Sequence, residues 1–156
     1  MRFEPEHLHQ AAIERIEQAQ LLYTARKYAL SMSISGVAVE CLFRAMILER
    51  ARELDTGHDI KLLYDRSRMK ERLLQAQEDR GTPDRLLTQY SRQLESAVVE
   101  ICLLWANSYR YASEDRLRRD LRKRRLWAGV RGDILKANCL RLLTAAELIV
   151  KEGTSP

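Results

Sequence analysis

A nearly continuous apolar run, from Gly36 to Leu48, constrains the fold of this 156-residue chain more than any other feature. The run, GVAVECLFRAMIL, carries two charged residues, Glu40 and Arg44. Residues four apart lie on the same face of an α-helix, so these two can pair on a helix that is otherwise apolar on every side. Such a helix is normally the central one in its domain. Because a buried charge must be compensated, Glu40 and Arg44 either satisfy each other or meet a polar group from another helix. They mark the first candidate site.

Composition extends the helical expectation to the whole chain. Six glycines and three prolines, with abundant Leu, Ala, Glu, Arg and Gln, favour helix, and no run of alternating β-branched residues predicts a strand. The length suits one domain with one core. We therefore predict an all-α bundle of four to five main helices plus short helices, forming a single domain over residues 1–152 with a disordered tail at 153–156.

Local signals predict where the first two long helices begin and end. Pro5 suits a first helical turn, and the first helix is predicted to run to about Leu30. The segment SMSISG, residues 31–36, offers short hydroxyls for capping and a glycine for close packing, so it is the predicted junction. The second helix is then predicted to run to about Leu54 and to stop at residues 55–57, where a glycine follows.

The second half of the chain continues in the same pattern. Asp59 can cap a short helix, and residues 67–79 are polar enough to form a solvated helix or a mobile segment. A long helix capped by Thr82 is predicted over residues 83–109, and Asp133 starts the last helix. The predicted inward rows of these two long helices are Leu87, Tyr90, Leu94, Ala97, Ile101 and Leu104, and then Leu135, Cys139, Leu142, Ala146 and Ile149.

Hydropathy and the N-terminal sequence predict a cytoplasmic protein, and the cysteines predict reduced thiols. No apolar segment is expected to reach the roughly 18 residues that cross a bilayer, and the N-terminal residues MRFEPEHLHQ lack the basic-then-apolar order of a signal peptide. Cys41, Cys102 and Cys139 are far apart in apolar helical contexts, so we expect buried, reduced thiols and not disulfides or a zinc site.

The net charge of +5 is concentrated in one segment. Residues 110–125 contain eight basic and three acidic residues, whereas the rest of the chain is neutral overall. Ser113 can cap a helix here, and Leu117 and Leu121, with Trp127 as a candidate third member, form a narrow apolar seam that leaves the basic side chains outward. A cationic surface on a neutral body favours a polyanionic partner such as nucleic acid, although a charged face can also be merely solvated. The candidate contacts are Arg118, Arg119, Arg122 and Arg125.

Just before this segment, the third long helix ends in an aromatic and hydrogen-bonding cluster, WANSYRY. Asn107, Arg110 and Tyr111 can bind a phosphate or a base, since arginine forks suit phosphate and aromatic rings stack on bases. As an alternative, the same residues satisfy a helix end and need no ligand. No glycine-rich phosphate loop, metal-spaced Cys/His cluster or nucleophile beside a base occurs in the sequence, so no cofactor and no metal are expected.

The order of these elements resembles that of the HEPN (higher eukaryotes and prokaryotes nucleotide-binding) superfamily. The resemblance rests on the Tyr23 to Tyr28 region, on AVECLFRAMI with Ala38 and Glu40, on GHDIKLLY with His58-Asp59, and on WANSYRYA with Arg110-Tyr111. It covers most of the chain. It implies a helical bundle that commonly dimerises, found in toxin–antitoxin pairs, phage defence and RNA-cutting effectors, with some members acting only as nucleotide-binding or assembly modules.

The sequence departs from the superfamily at its catalytic motif. Ribonuclease members carry an arginine followed four to six residues later by histidine, whereas Arg110 is followed at that distance by Glu114, Asp115 and Arg116. His58 comes from a different element. The candidate catalytic residues are therefore His58, Arg110 and Tyr111, without an assigned role.

Two functions follow from these observations. The first is a dimeric HEPN-like module that binds RNA or a nucleotide, in a bacterial toxin–antitoxin or phage-defence system, with an operon-encoded protein partner and without standard ribonuclease activity. The second is a metal-independent endoribonuclease with a rearranged active site. The candidate residues for either are Glu40, Arg44, His58, Asn107, Arg110 and Tyr111.

Overall fold

A computed structural model describes residues 1–53 and 57–155. Within these residues there are seven α-helices and one 3-10 helix, and no strand. The all-α prediction is confirmed, with four long and three short α-helices. The elements are α1 (Pro5–Thr24), α2 (Tyr28–Ala51), α3 (Ile60–Ser67), α4 (Met69–Asp79), α5 (Asp84–Leu104), the 3-10 helix η1 (Asn107–Tyr111), α6 (Glu114–Lys123) and α7 (Ile134–Thr154).

Helix α2 is the centre of the bundle, as its apolar run predicts. It contacts α1, α3, α6, α7 and η1, and 15 of its 24 residues are buried. Phe43, Leu42 and Met32 are among its fully buried large side chains. Two of the other long helices, α1 and α7, therefore pack directly against α2, while α5 packs against α7.

The hydropathy of α2 is higher than the sequence analysis expected. Over residues 28–51 the helix is long and apolar enough to pass as a membrane span, so the expectation that no segment reaches this length is wrong. However, 72% of its most apolar window is buried inside the bundle. Since its apolar surface is covered by other helices, the core of a folded domain explains this composition.

The predicted junction at residues 31–36 is wrong, because these residues lie inside α2. The chain turns earlier, at Arg26, whose φ of 60° ends α1. Ser31 Oγ donates to the carbonyl of Ala19 (2.8 Å) and Ser35 Oγ to the carbonyl of Ser31 (2.8 Å). The hydroxyls are satisfied within packed helices, so they do not compete with helical structure here.

Helix α2 ends at Ala51, where Arg52 adopts the left-handed conformation with φ 56°. The predicted end at Leu54 and the predicted stop at Asp55 and Thr56 lie outside the described residues. Asp59 caps α3 as expected, because its Oδ1 accepts from the Leu62 amide at 3.0 Å. Residues 69–79 form α4, a helix of exposed and partly buried residues anchored by the fully buried Met69.

Two boundaries in the second half differ from those predicted. The N-cap residue of α5 is Pro83 and not Thr82, whose hydroxyl donates to Gln77 Oε1 at 3.0 Å. The helix ends at Leu104 and not near Tyr109, because the backbone is extended at Trp105. The indole of Trp105 packs across α2 there. The predicted inward row of α5 is buried, apart from the partly buried Tyr90.

The last helix follows its prediction closely at the start and exceeds it at the end. Asp133 caps α7 by accepting from the Leu135 amide at 3.0 Å, and its five predicted inward residues are fully buried. The helix continues through Thr154, into the segment expected to be a disordered tail. Gly153 lies directly against the side chain of Leu42 on α2, which explains why the helix stays packed to its end.

Candidate functional site

Glu40 lies at the centre of a polar cluster in the otherwise apolar core. Its side chain is 3% exposed, and its Oε1 is 2.8 Å from Nδ1 of His58 in the α2–α3 connection. Its Oε2 is 3.7 Å from Nη2 of Arg44, one turn further along α2. Both alternatives from the sequence are therefore realised together: Glu40 pairs with Arg44 and also meets a polar group from another segment.

The geometry assigns the hydrogen on His58. A carboxylate only accepts hydrogen bonds, so the 2.8 Å contact requires Nδ1 to carry the proton and donate to Glu40. Arg44 Nη2 is 3.2 Å from the same nitrogen and donates instead to the carbonyl of Gly57 at 2.8 Å. The ring nitrogen Nε2 of His58 has no partner in the described part of the chain, and the side chain is 44% exposed. His58 is thus held at one nitrogen and open at the other.

This arrangement provides one candidate general base, His58, but among the described residues no second histidine lies beside it. A buried carboxylate orients the imidazole, and a guanidinium beside it can neutralise an approaching anion. The other two histidines of the chain lie on α1 with partners of their own. His7 Nδ1 accepts from the Glu4 amide at 3.0 Å, and His9 is 2.8 Å from Glu49.

The second predicted group, Asn107, Arg110 and Tyr111, forms a separate cluster on η1. Arg110 Nε donates to the carbonyl of Asn107 at 3.2 Å, and Arg110 Nη2 donates to the Asn107 side chain. The guanidinium also lies 5.4 Å from the centroid of the Tyr111 ring, which is largely exposed. These contacts are all local to one turn. Among the described residues, no hydrogen bond or ion pair joins this cluster to His58.

The arginine-rich segment forms α6, with Ser113 as its cap as predicted, since Ser113 Oγ accepts from the Arg116 amide at 3.2 Å. Leu117 and Leu121 are buried and form the apolar seam. Trp127 is not part of it, because its side chain lies on the connection to α7 and is 57% exposed. The buried positions on α6 are therefore two leucines one turn apart.

Arg118 differs from the other predicted contacts because it is tied to the body of the protein. Its Nε and Nη2 donate to the two carboxylate oxygens of Asp133, each at 3.0 Å. These hydrogen bonds lower the pKa of Asp133 below its ordinary value. Such a two-pronged contact fixes the arginine in orientation. Arg118 therefore fastens α6 to the start of α7 and is not an outward cation.

Arg124 has a similar structural role at the other end of α6. Its Nη1 donates to the hydroxyl of Tyr109 at 2.8 Å and lies 3.5 Å from Asp120, and its Nη2 donates to the carbonyl of Leu103. The remaining cations on and just after α6 are exposed and have no carboxylate partner in the part of the chain that the structure describes. These exposed cations are Arg116, Arg119, Arg122, Lys123 and Arg125.

Comparison with known families identifies the fold to which these clusters belong. The family model for the HEPN domain matches residues 5–117. The chain belongs to the HEPN domain family. No curated protein and no solved structure matches the chain. The HEPN match includes both polar clusters, on α2 and η1, but it ends inside α6, so Arg118 to Arg125, the connection and α7 lie beyond it.

The cysteines of this HEPN protein are partly as expected. All three are free thiols, and Cys139 is buried, which raises its pKa to about 11. Burial also raises the pKa of the half-buried Cys41. Cys102 is exposed, so its predicted burial is wrong: it lies on the outward side of α5 with the exposed Val99 and Leu103. The described residues contain no group of three His, Cys, Asp or Glu side chains that could hold a metal ion.

Three partners of the site residues escaped the sequence analysis. Asp133 was identified only as a cap, because its contact with Arg118 depends on how α7 returns to α6. The carbonyl of Gly57, which holds Arg44, is a backbone group without a sequence signal. Tyr109 was assigned to the aromatic cluster, but it is buried and accepts from Arg124.

Proposed function

We propose that this HEPN protein is an RNA-binding module. The observation that carries the proposal is the set of five exposed cations on and just after α6, Arg116, Arg119, Arg122, Lys123 and Arg125, none paired with a carboxylate in the described residues. Structural needs explain Arg118 and Arg124, which hold the fold together, but they do not explain these five. Unpaired cations concentrated on one side of a neutral body attract a polyanion, and family membership favours RNA or a nucleotide among polyanions.

A salt titration tests this binding directly. Each phosphate contact on a single strand contributes a slope of about −0.7 to the plot of log affinity against log salt concentration. We expect a labelled single-stranded RNA to bind the parent protein with a steep negative slope in filter-binding assays. Changing Arg119, Arg122, Lys123 and Arg125 together to Gln should weaken binding and flatten the slope, without unfolding the protein, since exposed charges contribute little to stability.

The matched control removes the same charge elsewhere. Arg85, Arg92, Lys136 and Lys151 are exposed on α5 and α7, and their joint change to Gln gives the same net charge as the α6 variant. The control should retain the slope of the parent. Equal affinities and slopes for the parent and the α6 variant would contradict the proposal and leave the cations as a solvated face. Competition with free nucleotides then distinguishes RNA from nucleotide as the ligand.

A second candidate function, metal-independent endoribonuclease, is favoured by the Glu40–His58 contact. His58, oriented by Glu40 and open at Nε2, could accept the proton of a ribose hydroxyl while Arg44 neutralises the phosphate. Incubation of purified protein with labelled RNA in EDTA tests this function. Cleavage by the parent but not by His58→Ala would establish it, whereas intact RNA with both proteins is the result expected of the binding module.

The cellular setting completes the proposal. We place the protein in the cytoplasm, as a homodimer that acts in a bacterial toxin–antitoxin or phage-defence system with a partner from the same operon. The mass in solution, measured by sedimentation, tests the dimer. The identity of the neighbouring genes, followed by co-expression with the product of the adjacent one, tests the partner.

A further inference from the structure

The connection between α6 and α7 carries a large aromatic side chain into solvent. Trp127 is 57% exposed, whereas the other tryptophan, Trp105, is buried and donates to the carbonyl of Ser33 at 3.1 Å. The described residues offer the Trp127 indole no hydrogen-bond partner. Exposed tryptophan is uncommon because burying a ring of this size releases considerable hydrophobic free energy. Here more than half of the residue's surface is left in solvent.

The backbone around Trp127 is fixed, so its exposure is built into the fold. The carbonyl of Leu126 accepts from the fully buried Asn138 side chain of α7 at 2.9 Å. On the other side, the carbonyl of Trp127 accepts from the amide of Val130 at 3.0 Å and closes a turn. Gly129, with φ 73°, provides the left-handed residue that this turn uses. The indole is therefore presented from a position anchored on both sides.

Trp127 forms one wall of an open depression of about 400 Å³. Val130 and Ile134 give it apolar lining, and Arg122 reaches its edge without a carboxylate partner in the described residues. The one carboxylate that lines it, Asp133, is already held by both prongs of Arg118. The depression thus combines a flat aromatic wall, an apolar lining and a cationic rim, with its negative charge neutralised.

We infer that Trp127 is a stacking platform for an unpaired base of single-stranded RNA, with Arg122, which lines the same depression, on a flanking phosphate. Base stacking on an aromatic side chain needs an exposed ring face and no particular sequence, and cations beside the ring follow the backbone. Helix α6 is about 15 Å long, so its other exposed cations extend the phosphate path beyond a single nucleotide. The inference rests on the RNA binding proposed above and adds the base to it.

The platform lies outside the part of the chain that matches the HEPN family. The match ends at residue 117, ten residues before Trp127. The family therefore assigns nothing to this depression, and the base-stacking role comes from the geometry of the C-terminal segment alone. It also differs in place from the Glu40 cluster, which lies on the second half of α2.

The test separates base contact from backbone contact. Two probes are used, a short labelled oligoadenylate and an oligomer of the same length whose sugars carry no bases. Trp127→Ala should weaken oligoadenylate binding on the order of tenfold, Trp127→Phe should bind nearly as the parent does, and the abasic oligomer should bind parent and Trp127→Ala equally. The salt slope should remain that of the parent in both variants. Phe3→Ala, which removes an exposed aromatic side chain next to α1, is the matched control and should bind as the parent does.

Each outcome decides the inference. Equal oligoadenylate affinities for the parent and Trp127→Ala, with the parent still showing its steep salt slope, would overturn the platform and leave RNA binding intact. An equal loss for Trp127→Ala on both probes would also overturn it, since the side chain would then act on the backbone path and not on a base. A parent that binds neither probe would overturn the platform together with the proposed function. Thermal melts of both variants should match the parent, because the indole is exposed.

Discussion

The buried carboxylate of Glu40 contacts both Arg44 and His58. Glu40→Ala would leave Arg44, whose Nε already has no hydrogen-bond partner within the described residues, without its counter-charge. We expect a loss of about 3 kcal/mol in the free energy of unfolding, measured by thermal or urea denaturation. His58→Ala removes only the half-exposed partner and should cost clearly less. A Glu40→Ala protein that melts within a degree or two of the parent would contradict the buried position of this carboxylate.

Gly36 on α2 leaves the space that the ring of Trp105 occupies. A Cβ atom there would lie 2.1 Å from the ring of Trp105, so Gly36→Ala should destabilise the protein by about 1–3 kcal/mol through overpacking. In a Trp105→Leu background the same change should cost much less, because the ring that it meets is gone. Denaturation of the four proteins in this cycle measures the coupling. Equal costs in both backgrounds would show that the indole does not pack on Gly36.

At the scale of the helices, α6 is held to the start of α7 by the ion pair of Arg118 with Asp133, whose carboxylate titrates. The hydrogen bonds from Arg118 hold the pKa of Asp133 below its ordinary value, so the folded-state pKa lies below that of the unfolded chain, about 3.9. The stabilisation is therefore complete above about pH 4 and is lost as the pH falls through the folded-state pKa. Its size should be about 1 kcal/mol or less, because the pair is partly exposed.

Asp133→Asn isolates this contribution, since asparagine caps a helix as well as aspartate does but carries no charge. At pH 7 the variant should melt below the parent, and the difference should shrink between pH 4 and pH 2. A difference that stays constant over this range would mean that the charge of Asp133 does not stabilise the α6–α7 contact.

The sequence predicted correctly those features that depend on residues close together in the chain. Caps were found because Asp59, Ser113 and Asp133 act on amides two or three residues away, and inward rows were found because helical spacing is local. The predicted junction before α2 is wrong because the short hydroxyls at 31, 33 and 35 favour capping locally, whereas packing against α1 and Trp105 makes these residues helical. The Glu40–His58 contact joins residues 18 positions apart. Its members could be named from sequence, but their geometry could not.

For the whole molecule, the end of the HEPN match does not coincide with the end of the packed structure. The match stops at residue 117, yet α7 packs against α1, α2 and α5. We expect a fragment of residues 1–117 to be insoluble or molten, whereas the full chain should unfold in one transition. Near-ultraviolet circular dichroism and dye binding to exposed apolar surface distinguish the two. A fragment that melts cooperatively would show that α7 is dispensable.

The covering of α2 by α7 has a consequence during synthesis. Until the ribosome has released residues 134–154, α7 does not yet cover α2, the most apolar helix of the chain. By hydropathy alone this helix would pass for a membrane segment. Until then the nascent chain exposes the apolar face of α2 that α7 later covers. Substitutions that delay the docking of α7, such as a bulkier residue at Gly153 against Leu42, should lower the soluble yield in cells more than they lower the stability of the protein once it is folded.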